Sequence, residues 1–225
     1  MSFLRKLHKW LGLIIGVQLV LWAVSGVMFA WLDRDAVDAV GSVRTAEPTA
    51  LSPTLMKKEP TTWLSDYPAQ DIYEVRAIAL ADRWVWRVEL RDRVELRAIE
   101  DGARVKVDEE WLRRVALDRY AGGGHLLAAT LQTQPDIASR AKGPVWQAQF
   151  DDPQRTALYF AADDGHFIAA RTASWRWYDF FWMLHTMDYQ GRDNFNNPLI
   201  VLLGFATLWL SVSGALLLLR SFRLA

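Results

Sequence analysis

The chain contains no cysteine, which excludes disulfide staples, thiolate metal sites and thiol catalysis. It has no excess of charge of either sign: 26 Lys and Arg stand against 26 Asp and Glu. No basic surface is therefore on offer to nucleic acid, and no nucleic-acid partner is expected. The sequence has no Gly-x-Ser-x-Gly elbow and no His-Glu-x-x-His. The triple glycine Gly122-Gly123-Gly124 lacks the Lys-Ser/Thr of a phosphate loop and reads as a helix stop. Nor is there a Gly-rich fingerprint for a flavin or nicotinamide domain. Two long apolar runs carry no Asp, Glu, Lys or Arg at all, which argues against an ion path and against a transporter.

Those two runs are the dominant feature. One extends from Trp10 to Leu32 and the other from Pro198 to Leu219, each roughly the 20 residues that cross ~30 Å of hydrocarbon as a helix. The first has a basic start, but its apolar part is about twice a signal-peptide h-region, and Trp31-Leu32-Asp33 is a poor cleavage site. It reads as an uncleaved signal anchor. Arg5, Lys6 and Lys9 precede the first run, and Arg220 and Arg223 follow the second. Asp33, Asp35 and Asp38, with Asp188, Arg192 and Asp193, lie on the inner flanks. Lys and Arg concentrate on the cytoplasmic side, so both termini are expected inside and residues from about 33 to 190 outside. Trp10, Trp31, Trp175, Trp177, Tyr178 and Trp182 sit where interfacial aromatics belong.

The stretch between the runs alternates as half-buried strands do. Ile72–Ile78, Trp84–Leu90 and Val94–Ile99 are expected strands, and Asp101-Gly102 a turn. Asp108 caps a helix with Glu109 and Glu110 in its first turn, ended by the triple glycine. Strands return at 126–131, 145–150, 156–161 and 167–171. The pattern repeats: Val85-Trp86 leads to Asp101-Gly102, and Val145-Trp146 leads to Asp164-Gly165. Each copy is expected to be a helix plus a small antiparallel sheet. Such a unit is too small to bury a core alone, so two pack together. The apolar runs echo one another too: Gly16 to Ser25-Gly26 parallels Gly204 to Ser213-Gly214. Small residues at matching positions let helix backbones approach closely, or leave room for a flat cofactor.

These features give a membrane α+β fold in which two transmembrane helices flank an outer domain. The expected organisation is 1–32 tip and first span, 33–70 linker and short helix, 71–107 first unit, 108–173 second unit, 174–197 interfacial amphipathic helix and loop, and 198–225 second span and tip.

Arg5-Lys6-Leu7-His8-Lys9-Trp10-Leu11-Gly12, a span with Ser25-Gly26 near its end, Trp182-Met183-Leu184-His185 before the last span, and Ser213-Gly214 within it resemble the PepSY-associated transmembrane proteins. The helix-plus-hairpin unit, with Leu158-Tyr159-Phe160 leading to Asp164-Gly165, is similar to a PepSY domain. The resemblance implies a bacterial inner membrane, a periplasmic domain, and a link to iron uptake or membrane electron transfer. Some relatives are haem-containing ferric-siderophore reductases, usually with four spans and more histidines.

Four histidines are available. In the light of the resemblance, His8 and His185 are the expected cofactor and metal ligands, as axial ligands of haem b iron. The other reading of His8 is an interfacial polar residue beside Lys9. Trp175, Tyr178, Trp182 and His185 share one helical face, which suits a haem edge or a helix lying on lipid. His125 and His166 read as surface loop residues. His8 and His185 belong near opposite faces, roughly 30 Å apart, so one iron cannot take both. A homodimer or a larger membrane complex would supply the second ligands. The resulting expectation is a haem-b-linked electron-transfer or ferric-reductase component. The alternative is a haem-free membrane anchor whose outer units bind or regulate a partner protein.

Overall fold

The structure, a computed structural model, describes residues 2–45, 50, 52–57 and 59–223, the side chains of 2–5, 53 and 221–223 excepted. The side chains of Arg5 and Arg223, and residues 46–49, 51 and 58 of the expected linker, lie outside the described residues. The chain divides into two compact units: Met1–Asp33 with Ser174–Ala225, and Arg34–Ala173.

The first unit is helical. Helix α1 covers Ser2–Trp31, α5 Ala173–Thr186 and α6 Pro198–Arg223. Two segments are long and apolar enough to cross a membrane, Lys6–Trp31 and Pro198–Arg220. They coincide with the expected spans, and α1 continues back through its basic tip. Neither contains a proline inside its length, so no backbone hydrogen bond is lost. Asn197 starts α6 by accepting the N–H groups of Leu199 (3.0 Å) and Ile200 (3.1 Å), with Pro198 in the first helical position. Met187 ends α5 by turning to a positive φ of 55°. Apolar side chains such as Val17, Leu202 and Phe205 face outward, as lipid-facing residues do.

The second unit holds two short helices, α2 (Arg34–Val37) and α3 (Thr61–Leu64), one longer helix, α4 (Glu109–Arg119), and eight strands. Strands β1 (Ile72–Leu80), β2 (Arg83–Leu90), β3 (Val94–Ala98) and β4 (Arg104–Val105) form one antiparallel sheet in sequence order. Strands β5 (Leu126–Gln132), β6 (Val145–Phe150), β7 (Ala157–Ala161) and β8 (Phe167–Arg171) form the other in the same way. The expected strands are present, and β4 is an addition too short to alternate visibly. The internal repeat is real at the level of position. Val85-Trp86 and Val145-Trp146 both lie on second strands, and Gly102 and Gly165 both occupy the third turn at positive φ, 75° and 67°. At Gly102 a Cβ would also stand 2.1 Å from the Trp63 ring, so only glycine fits there.

Asp108 caps α4 as expected, accepting the Trp111 N–H at 2.8 Å. The helix stop is corrected. The helix ends at Arg119, before the glycines, because Tyr120 adopts an extended backbone and stacks its ring on Phe150 at 3.8 Å. The Tyr120 hydroxyl then accepts the Gly124 N–H at 3.0 Å and donates to Asp152 at 2.6 Å. One apolar cluster draws on both sheets and α4: Val85 and Leu96, then Trp111 and Leu112, then Phe150 and Phe160. This is what two small sheets gain by packing together.

A charge network adds to that packing. Asp164, in the turn between β7 and β8, has a fully buried side chain. It accepts Arg87 Nε of β2 at 2.8 Å and pairs with His166 Nδ1 at 2.6 Å. Burial alone would raise the Asp164 carboxyl. The bonds from His166 and Arg87 outweigh it and hold that carboxyl well below the usual carboxylate range. The same bond to Asp164 raises the His166 imidazole against its own burial. His166 is thus an exposed turn residue, as expected, but an ion-paired one.

Two outcomes follow from this core. Trp111→Ala should destabilise the second unit by about 3–5 kcal/mol in denaturant unfolding, because the ring is fully buried; a loss under ~1 kcal/mol would place the core elsewhere. The pair should also give stability two limbs. Asp164, depressed in the fold, contributes above its unfolded value of ~3.9 and loses that contribution as pH falls below it. His166, raised in the fold, contributes below its unfolded value of ~6.5 and loses that contribution as pH rises through its folded value. Asp164→Asn should flatten both limbs of the melting-temperature profile.

Candidate functional site

Two of the four histidines lie on the helices of the first unit, and each is held by a serine. His8 Nδ1 is 2.8 Å from Ser213 Oγ of α6, and His185 Nδ1 is 2.8 Å from Ser25 Oγ of α1. The serines are the matching positions of the two echoed segments. Each histidine is therefore paired with the hydroxyl of the other half of the chain. The order of contacts, with His8 beside Ser213 and Gly12 beside Leu210, sets α1 and α6 antiparallel.

The hydroxyls also touch their own helices. Ser25 Oγ lies 2.8 Å from the Leu21 carbonyl and 3.0 Å from that of Trp22, and Ser213 Oγ lies 3.0 Å from that of Leu210. Both serines are buried, and a hydroxyl has one proton. Where that proton goes to the carbonyl of its own helix, the imidazole donates from Nδ1 and its Nε2 lone pair is free for a ligand. A ring held this way by its Nδ1–H is the form in which histidine ligates a metal.

The end of α5 is built around His185. A helix C-terminus leaves its last carbonyls without intrahelical partners. Here α1 supplies them: Gln18 Nε2 donates to Leu184 O at 3.2 Å, and Trp22 Nε1 to His185 O at 2.8 Å. Asn197 Nδ2 donates to Thr186 O at 2.7 Å. Phe29 meets Tyr178, Trp182 and His185 with ring centroids 5.1, 6.2 and 5.5 Å away. The expected shared face of Tyr178, Trp182 and His185 is thus real, and it is turned toward α1. In the following loop the Asp188 carboxylate gathers backbone N–H groups from Gln190, Gly191, Asp193 and Asn194. Those bonds, led by Asn194 and opposed by burial, hold it below the usual carboxylate range.

The glycines correct one expectation. A Cβ added at Gly16, Gly26 or Gly204 would meet nothing within 4 Å, so these positions do not bring α1 and α6 together within one chain. They open flat, unfilled strips on the helix surfaces. At Gly214 the result differs: a Cβ would stand 3.1 Å from His8 Cε1, so this glycine leaves the imidazole its place.

The two pairs are far apart. His8 and Ser25 both sit on α1, 17 positions apart, which is ~25 Å of helix. His185, bonded to Ser25, is thus remote from His8, and one metal ion cannot take both. His125 is exposed and belongs to neither pair. Asp163, Asp164 and His166 place possible ligand atoms within 4.8 Å of one another, but Asp164 is already committed to Arg87 and His166. Ser25, Ser213, Gln18 and Trp22 had not been recognised as site residues. The only sequence signal for the serines was the duplicated Leu-His and Ser-Gly pairs.

At each imidazole a buried serine holds Nδ1, and at His185 an aromatic ring stands beside it, an arrangement that fits an axial ligand. No curated protein and no solved structure matches the chain. The family model described as the PepSY-associated TM region matches residues 2–221, nearly the whole length. By that match the chain is a membrane protein that belongs to the PepSY-associated TM region family.

Proposed function

We propose that the chain is a haem-b-linked electron-transfer or ferric-reductase component of the bacterial inner membrane. The observation that carries this reading is the pair of imidazoles held at Nδ1 by buried serines. His8 and His185 would be the axial ligands, one for each of two haem groups. Bound haem would supply one-electron chemistry at a potential set by its ligands and surroundings. The chain's own part is to hold each imidazole at Nδ1 and keep water out around the buried serines. It also aligns an aromatic wall along α1 and α5. Each end of the helix pair offers one imidazole, so the second ligand at each iron comes from another copy or from a partner subunit. The open strips at Gly16, Gly26 and Gly204 are surfaces on which such a neighbour fits.

The direction of travel follows from topology. Lys6, Lys9 and Arg220 lie at one end of the helix pair, and the acidic residues Asp33, Asp188 and Asp193 at the other. That supports cytoplasmic termini and a periplasmic second unit. Electrons would pass outward to an acceptor such as a ferric chelate.

Protein purified in mild detergent from haem-replete cells should show a Soret band and sharp reduced-minus-oxidised peaks. His8→Ala should remove one b-type signal and His185→Ala the other, with membrane insertion intact. A folded, assembled and colourless protein would sink this reading and favour the haem-free anchor. Ser213→Ala should keep the His8-dependent signal but shift its potential, and should weaken helix pairing by about 1 kcal/mol. Reporter fusions after residue 225 and at Gly122 should report opposite sides of the membrane; agreement between them would overturn the topology.

A further inference from the structure

The second unit holds a cleft of about 840 Å³ between β3–β4 of the first sheet and β6 with the β7–β8 turn of the second. That volume suits a small organic molecule. Its accessible apolar lining is made by Val94, Val105, Leu131 and Ile168, backed by the buried Leu96, Val107 and Trp146. Its rim is basic. Arg93, Arg104, Lys106 and Lys142 line it against two acids, Glu95 and Asp163. The chain as a whole has no net charge, so this excess is local.

The acids do not cancel it evenly. Glu95 takes Arg93 at 2.7 Å and Arg104 at 3.3 Å, and it also accepts the Tyr67 hydroxyl at 2.7 Å. These bonds, with that of Tyr67 foremost, outweigh burial and keep the Glu95 carboxyl ionised to lower pH than usual. Asp163 lies on the far wall beside His166. Lys106 and Lys142 are exposed and make no ion pair among the described residues. Two unpaired ammonium groups at the mouth of an apolar, Trp-lined cleft are complementary to an anion carried on an apolar body.

We infer that this cleft is a binding site for a small anionic molecule with a flat apolar body, of the aromatic carboxylate or sulfonate class. The apolar part rests on Val105, Leu131 and Ile168, and the anionic group faces Lys106 and Lys142. This inference does not rest on haem, and its test reads no haem signal.

Pyrenetetrasulfonate is a suitable probe, being flat, fluorescent, polyanionic and excluded from neutral lipid. It is titrated by fluorescence anisotropy against the full chain in phosphatidylcholine nanodiscs. Saturable one-to-one binding that weakens as salt rises is expected. Lys106→Glu and Lys142→Glu should each weaken it by about tenfold. Gly143→Trp should abolish it without changing charge. Gly143 lines the cleft, and an added Cβ there meets nothing within 4 Å, so a large ring takes up room at the lining without displacing a neighbour. An unchanged melting temperature checks each variant. Absent or non-saturable binding overturns the inference, as does equal binding of a cationic aminopyrene. Binding that the lysine variants weaken but Gly143→Trp leaves intact is surface attraction only, and overturns it as well.

Discussion

Inside hydrocarbon a polar group has no water to turn to, so it must be satisfied by protein. That constraint organises the helical unit. α1 carries Gln18, Trp22 and Ser25 within its apolar run, and each reaches the end of α5. α6 carries Ser213, which reaches His8. Each of these four bonds is between helices, so these four residues also specify how the helices pack. The same rule bears on the histidines: a serine whose proton is directed at its own helix can only accept from its neighbour.

The second unit solves a different problem with a repeated part. Neither four-stranded sheet has enough apolar surface for itself. Joined around Trp111, Phe150 and Phe160 they bury one core. Arg87 of the first sheet and Asp164 of the second then make an ion pair with the acid fully buried. A buried pair of this kind adds little net stability but strongly penalises loss of one partner. Packing alone left a cleft whose basic rim has a chemistry of its own.

Much of this was legible in the sequence where the signal is local. The spans show as uninterrupted apolar runs. The strands from Ile72 to Leu90 show as alternation, and Asp108 as a cap three residues before Trp111. The sheet repeat was readable from Val-Trp and Asp-Gly alone. What could not be read depends on partners distant in the chain. Tyr120 ends α4 because Phe150 offers it a face to stack on, which no local rule predicts; the glycines nearby were the misleading local signal. His166 looked like a bare turn residue because Arg87 and the burial of Asp164 are tertiary facts. His8 and His185 were recognisable as candidates, but Ser25 and Ser213 looked like packing residues. The glycines that looked like close-packing positions have nothing packed on them.

The crossed pairing has a consequence in time. His8 is separated from Ser213 by 205 positions, and Ser25 from His185 by 160. At ordinary elongation rates, synthesis of that interval takes on the order of ten to forty seconds. Throughout that interval α1 exists without either partner. Ser25 can wait, since the Leu21 and Trp22 carbonyls of its own helix satisfy its proton. His8 has no such local acceptor among the described bonds and gains its serine only when α6 arrives. The first span thus waits for α5 to pair Gln18 and Trp22, and the His8–Ser213 pair forms only once α6 has been made.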